Sequence, residues 1–194
     1  MITMNGIFGN TNTCTNLEEN ELVKNARDDL NQFEPLFNCY FDRVFRYIFS
    51  RTNDRQVAED LTSQIFLKIL EALPRYQIRG SFAAWVFTIA KNTLNSHYRN
   101  HFHHPIQSLD KIVSIESNLE VGLVEKIEND NRFIELEKNF NRLTEKDREL
   151  LRLRFAANLS FREIGALQGK NPDAVKMAIH RLLRRLEVEM ELTR

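Results

Sequence analysis

From Phe33 onward the chain places apolar residues with the period of an α-helix. Phe33, Phe37, Phe41, Phe45 and Phe49 recur every four residues, flanked by Leu36, Tyr40, Val44 and Ile48, which predicts a helix with one broad apolar face. The aromatic stripe reads as core packing. Proline is tolerated in a first turn, where its missing N–H had no partner anyway, so this helix begins close to Pro35. Thr52-Asn53-Asp54 supplies a turn and an N-cap, and Val57, Leu61, Ile65, Ile69 and Leu73 predict a second helix that stops before Pro74. Residues 75–80 form a short loop in which Gly80 can take a positive φ. Ser81 then caps a third helix that buries Phe82, Trp85, Val86, Ile89 and Leu94 and runs to about Arg99.

Residues 1–25 are rich in Asn and Thr and lack an apolar period, so they read as a flexible lead, and the first domain spans 26–100. Residues 101–129 hold Pro105, several Ser and Asn and an acidic excess, which predicts a linker. Helical period returns near Asp130, through Phe133, Leu136, Phe140 and Leu143, and a second domain spans 130–194. Thr144 is placed to cap a helix, with Asp147 at its positive end. The most informative stretch follows. Ser160 and Glu163 have capping-box spacing, Gly169 can end that short helix in the left-handed region, Asn171 can cap the next, and Pro172 sits in its first turn. Small Gly165 and Ala166 allow close approach of the following helix. This is the syntax of a helix-turn-helix, in which the second helix enters the major groove. Val175, Ile179, Leu182, Leu183 and Leu186 make its buried stripe, which leaves Lys170, Asn171, Asp173, Lys176, Met177, His180, Arg181 and Arg184 on or near the exposed side.

Composition agrees with an all-α fold of two small helical domains joined by a flexible linker. Among 194 residues there are only 6 Gly and 4 Pro, and 42% are apolar. Net charge is zero, which argues against a nucleic-acid partner until it is counted by segment: −2 over residues 1–25, +2 over 26–104, −4 over 105–139 and +4 over 140–194. Cys14 and Cys39 show neither a disulfide framework nor zinc spacing, which suits a reducing cytoplasm. The histidines His97, His101, His103 and His104 read as solvated or DNA-facing, not as metal ligands. No segment reads as a membrane span or export signal, and no phosphate loop, placed nucleophile or metal constellation points to an enzyme or a cofactor.

Taken together, FEPLFNCYFDRVFRYIFSRTNDRQVAEDLTSQIFLKILEAL, RGSFAAWVFTIAKNTLNSHYR and LTEKDRELLRLRFAANLSFREIGALQGKNPDAVKMAIHRLLRRL resemble regions two and four of extracytoplasmic-function sigma factors, the smallest class of the sigma-seventy family. The resemblance covers residues 30–192. It implies a subunit that binds core RNA polymerase, through the clamp of the largest subunit and the flap of the second, and directs promoter-specific initiation. Asp60, Gln64, Leu67 and Lys68 would dock on the clamp. Arg79, Ser81, Lys91, Asn92, Asn95 and Arg99 would meet melted minus-ten DNA, and the helix-turn-helix would read the minus-thirty-five duplex. The resemblance also implies an anti-sigma partner, a cytoplasmic location and a monomer when free. Ser63-Gln64 stands where the family has Gln-Glu, and Ala83, Thr88 and Ala178 stand where basic residues are common. The alternative is a stand-alone helix-turn-helix regulator, which would bind DNA tightly without polymerase.

Overall fold

Local chemistry decides where each helix starts and stops. In the computed structural model, residues 16–77, 80–102 and 139–192 are described, with only the backbone for 16–18, 101–102 and 190–192. Helix α1 spans Asn16–Asp28, and a 3-10 turn over Leu30–Gln32 leads into α2, Glu34–Thr52, with Pro35 in its first turn. Asn53 ends α2 at a φ of 49°, donating its N–H to the Phe49 carbonyl at 2.9 Å. Asp54 then accepts from the Val57 N–H at 3.0 Å and starts α3, Arg55–Ala72, which gives way at Pro74 to a 3-10 turn over Leu73–Arg75. Gly80 takes a φ of 86°, and Ser81 Oγ accepts from the Ala84 N–H at 3.2 Å at the head of α4, Phe82–Phe102.

The second group of helices obeys the same rules. Thr144 caps α5, Glu145–Leu151, which continues into a π-helical turn, Arg152–Ala156. The capping box of Ser160 and Glu163 forms as the spacing predicts and opens α6, Phe161–Gln168. Gly169, at a φ of 65°, closes α6. A Cβ on Gly165 would sit 2.7 Å from the Lys170 carbonyl, so only glycine lets the turn fold back on α6. Asn171 then caps α7, Pro172–Leu192, through its side chain to the Asp173 N–H at 2.8 Å and its carbonyl to the Val175 N–H at 3.1 Å.

The chain is all-α, and its two helical groups are the two the pattern predicts, α2–α4 and α5–α7. They share one apolar core. Tyr40, Tyr47, Ile48, Ile65, Phe87 and Leu94 of the first group belong to the same buried cluster as Leu153, Leu159 and Ile164 of the second. The two groups pack on each other, α2 on the π-turn and α4 on α6. The connecting segment lies mostly outside the described residues.

Three further expectations change. The aromatic stripe of α2 is its shoulder and not its centre: Phe37, Phe41, Phe45 and Phe49 are half-buried, with Phe37 and Phe41 against Phe66 of α3, while Leu36, Tyr40, Val44, Tyr47 and Ile48 go deepest. Residues 16–25, expected within a flexible lead, belong to α1. Val23 is 1% exposed, Ala26 is fully buried, and Tyr40 donates its hydroxyl to Glu19. Through Leu22, Val23 and Ala26, α1 packs on α2 and on the 3-10 turns at Leu30–Gln32 and at Pro74. Cys39 is disulfide-bonded, contrary to the reduced cysteines expected, and Cys14, the other cysteine of the chain, lies outside the described residues.

Because Val23 is sealed between α1 and the rest of the core, Val23→Ala is expected to lower stability by about 2 kcal/mol in urea unfolding. A detached lead would make that variant unfold like the parent.

Candidate nucleic-acid interface

On α7 the pattern separates two faces cleanly. Val175, Ile179, Leu182 and Leu186 are buried, whereas Asp173, Lys176, Met177, His180, Arg181 and Arg184 are exposed, as are Lys170 and Asn171 in the turn before it. The outward residues are not all free rotors. Lys170 Nζ donates to Gln168 Oε1 at 2.9 Å, Arg181 Nε to the Met177 carbonyl at 3.4 Å, and Arg185 pairs with Asp147 at 3.3 Å. Ala178, where the family resemblance leads one to look for a basic residue, is half-buried against the core.

In the first group, Lys91, Asn92, Asn95 and Arg99 lie on the exposed side of α4. Arg79 lies outside the described residues. Ser81 is half-buried, with its hydroxyl committed to capping α4. Ala83 and Thr88 differ from each other: Ala83 is fully buried, so a basic side chain could not fit there, while Thr88 is exposed and donates to the Ala84 carbonyl at 2.7 Å. Beside the loop lies an open cavity of about 530 Å³, lined among others by Arg75, Tyr76, Gly80, Ser81, Trp85 and Thr88. Tyr76 and Trp85 stand 4.7 Å apart by ring centroids, and Ala166 of α6 closes one side. Tyr76 and Trp85 were visible in the sequence only as core candidates or loop; nothing in their spacing marks a cavity wall.

The outward face of α3 holds Asp60, Gln64, Leu67 and Lys68 together, with Leu67 60% exposed. Lys68 reaches sideways, donating to Thr93 Oγ1 of α4 at 3.0 Å, so it braces α3 on α4. Ser63 is exposed as well and donates to the Glu59 carbonyl at 3.0 Å.

The seam between the groups is the feature sequence reasoning missed. Arg43, Tyr47 and Arg51 follow each other at four-residue spacing along α2 and meet a row of glutamates. Arg43 is 6% exposed; its Nε donates to the Ala157 carbonyl at 3.1 Å and its Nη2 to Glu163 Oε1 at 3.1 Å. Its guanidinium also lies 4.9 Å from the Tyr40 ring centroid and 5.9 Å from that of Phe87. Tyr47 donates to Glu149 Oε1 at 2.7 Å, and Arg51 pairs with Glu145 and, at 3.3 Å, with Glu149 Oε2. Burial pushes the Tyr47 hydroxyl well above its ordinary value, and the Glu149 carboxylate beside it pushes further. The available signal was polar residues at positions 43, 47 and 51 on the buried side of an apolar helix.

Comparison with known proteins agrees with this architecture. Residues 36–102 match the family profile of Sigma-70 region 2, and residues 134–186 that of Sigma-70, region 4. The chain is 34% identical over 158 residues to the ECF RNA polymerase sigma factor ShbA of Streptomyces griseus subsp. griseus, covering 76% of this chain and 82% of ShbA. It is 32% identical over 171 residues to the ECF RNA polymerase sigma factor BldN of Streptomyces coelicolor, covering 86% of this chain and 63% of BldN, so it spans just under two thirds of that relative. Among solved structures, the sigma factor RpoE in complex with the anti-sigma factor NepR from Bartonella quintana has the same fold, with a TM-score of 0.56 at 19% identity over 84% of this chain and 99% of that chain.

Removing one partner of a buried charged pair leaves the other uncompensated, so Arg43→Ala is expected to destabilise the chain by about 3 kcal/mol in chemical unfolding. A loss comparable to that of an exposed arginine would show the seam to be loose. Tyr47 has a folded-state pKa raised above its ordinary 10.0, so its contribution is complete below that pH and is lost as pH rises beyond it. Thermal stability is expected to fall above pH 10, and to fall less in Tyr47→Phe; equal slopes in the two proteins would contradict the hydroxyl's role.

Proposed function

The chain belongs to the sigma-70 family of RNA polymerase sigma factors, in its ECF group, and we propose that it binds core polymerase and directs initiation at promoters through two separate DNA elements. The observation that carries this is the coexistence of a helix-turn-helix whose second helix keeps its whole basic face exposed with a second helical group bearing its own polar face and aromatic cavity. A stand-alone regulator needs only the first.

In this reading Asp60, Gln64 and Leu67 dock on the clamp of the largest polymerase subunit, and Lys68 holds α3 in place for them. Lys91, Asn92, Asn95 and Arg99 follow the melted minus-ten strand, with Arg79 and Ser81 in the adjoining loop. The cavity beside that loop has the size and the aromatic walls to take an unstacked base, against Tyr76 and Trp85. Asn171, Asp173, Lys176, Met177, His180, Arg181 and Arg184 face the minus-thirty-five duplex, with Lys170 in the turn, and the group α5–α7 meets the flap of the second subunit. The role is recognition, carried out in the cytoplasm where polymerase is, and the complex of RpoE with NepR supports an anti-sigma partner for this chain too.

The two groups must separate to work. The minus-ten and minus-thirty-five elements lie ~25 base pairs apart, on the order of 85 Å along B-DNA. A globular chain of 194 residues has a radius of gyration of about 16 Å, so with its groups in contact it spans roughly half that distance. The two helical groups, α1–α4 and α5–α7, are therefore proposed as the units that move apart across the seam.

Asp60→Lys combined with Leu67→Asp is expected to weaken binding to purified core polymerase at least ~10-fold while helix content by circular dichroism is unchanged, a loss of about 1.4 kcal/mol or more. Unaltered affinity would move the docking face off α3. In promoter binding by the reconstituted holoenzyme, Lys176→Ala and Arg181→Ala are each expected to flatten the logarithmic salt dependence by about 0.9, the slope that one neutralised phosphate carries. A slope that stays put would take those side chains off the phosphates.

A further inference from the structure

One apolar side chain stands where groove-reading chemistry is otherwise polar or basic. Met177 is 58% exposed, on the second turn of α7. With a rotation of ~100° per residue, it lies nearly opposite the buried stripe of Val175, Ile179, Leu182 and Leu186, on the crest of the helix. Asp173 stands one turn before it and Arg181 one turn after, both exposed, while the alanine at 174 leaves the thioether unobstructed on its near side. Arg181 Nε donates to the Met177 carbonyl at 3.4 Å. The result is an apolar tip between an acidic side chain and a basic one.

We propose that Met177 reads the C5-methyl group of a thymine in the minus-thirty-five element. The inference rests on the reading of α7 as the groove-entering helix and adds the base feature it selects. Residues near the start of such a helix meet base edges, and along the major-groove edges thymine alone offers a methyl group; every other distinguishing mark there is a hydrogen-bond donor or acceptor. A thioether satisfies none of those donors or acceptors, so a cytosine amino group or guanine oxygen facing Met177 would be stripped of water without replacement. A methyl forfeits nothing and packs against a side chain whose three rotors adapt to its position. Val188 is also exposed on the outward side, but it lies eleven residues on, about 16 Å further along the axis and past the turns that meet base edges.

The test uses the reconstituted holoenzyme with the full chain on a promoter it selects, replacing each thymine of the minus-thirty-five element in turn by uracil, which removes only the methyl group. At one position, uracil is expected to weaken binding about 4-fold, the worth of one buried methyl. Met177→Ala should bind the thymine promoter about 4-fold more weakly and no longer distinguish uracil there, while Met177→Leu, still apolar, should keep the discrimination. The proposal is overturned if uracil is tolerated at every position, if the element selected contains no thymine, or if Met177→Ala discriminates as well as the parent. It is equally overturned if Met177→Ala binds both DNAs normally and loses affinity only for a protein, because the crest then serves a protein partner. A holoenzyme that ignores the whole minus-thirty-five element would instead remove the groove reading of α7, a result distinct from all of these.

Discussion

A single buried guanidinium ties this molecule together. Arg43 could not be so deeply covered unless its donors were answered, and the second helical group answers them at two points: the Ala157 carbonyl, left free where the π-turn ends, and Glu163 Oε1. Glu163 does double duty, because its other oxygen accepts from the Ser160 N–H at 2.6 Å to complete the capping box of α6. One carboxylate thus starts the helix-turn-helix and fastens it to α2. Tyr47 and Arg51 repeat the arrangement one and two turns later against Glu149 and Glu145, so the seam is a row of matched pairs with rings on either side of Arg43.

That seam has a consequence for DNA. With the groups in contact, Ala166 of α6 forms one wall of the cavity beside Gly80 and Ser81, while the crest of α7 is exposed among the described residues. On the proposed reading, the surface for duplex is open when the surface for the melted strand is partly shut. On separation the charged and hydroxyl pairs regain hydration, but the apolar residues that the two groups bury together would be bared, a penalty that contacts with polymerase and DNA must offset. Among the described residues, the outward faces of α3 and α4 are exposed in the same arrangement, which on the proposed reading leaves polymerase a place to dock before the seam parts.

Much of this was legible from residue pattern alone. Helix boundaries followed from local chemistry that needs no tertiary context: Asp54, Ser81, Thr144, Ser160 and Asn171 as caps, Gly80 and Gly169 at positive φ, Pro35 and Pro172 in first turns. The outward face of α7 followed from the period of its buried stripe. What escaped was whatever depends on a distant partner. Helix α1 is made by Tyr40 and the turn at Pro74, since its own sequence buries little; the engagement of Cys39 has no spacing rule; and Arg43, a charge on an apolar face, gains meaning only when Ala157 and Glu163 arrive from more than a hundred positions away. Lys68 lies on the exposed face of α3, yet its ammonium is spent on Thr93 inside the protein.

The central claim is that one chain, folded on itself when alone, grips polymerase and two distant DNA elements by parting along the Arg43 seam. It is tested most directly by the distance between fluorophores at positions 100 and 187, one on each group, measured in the free chain, with core polymerase and on promoter DNA. The account requires a short distance in the free chain and a separation several tens of ångströms greater in the promoter complex. A pair that keeps its free-chain distance while the complex initiates transcription at the promoter would contradict it.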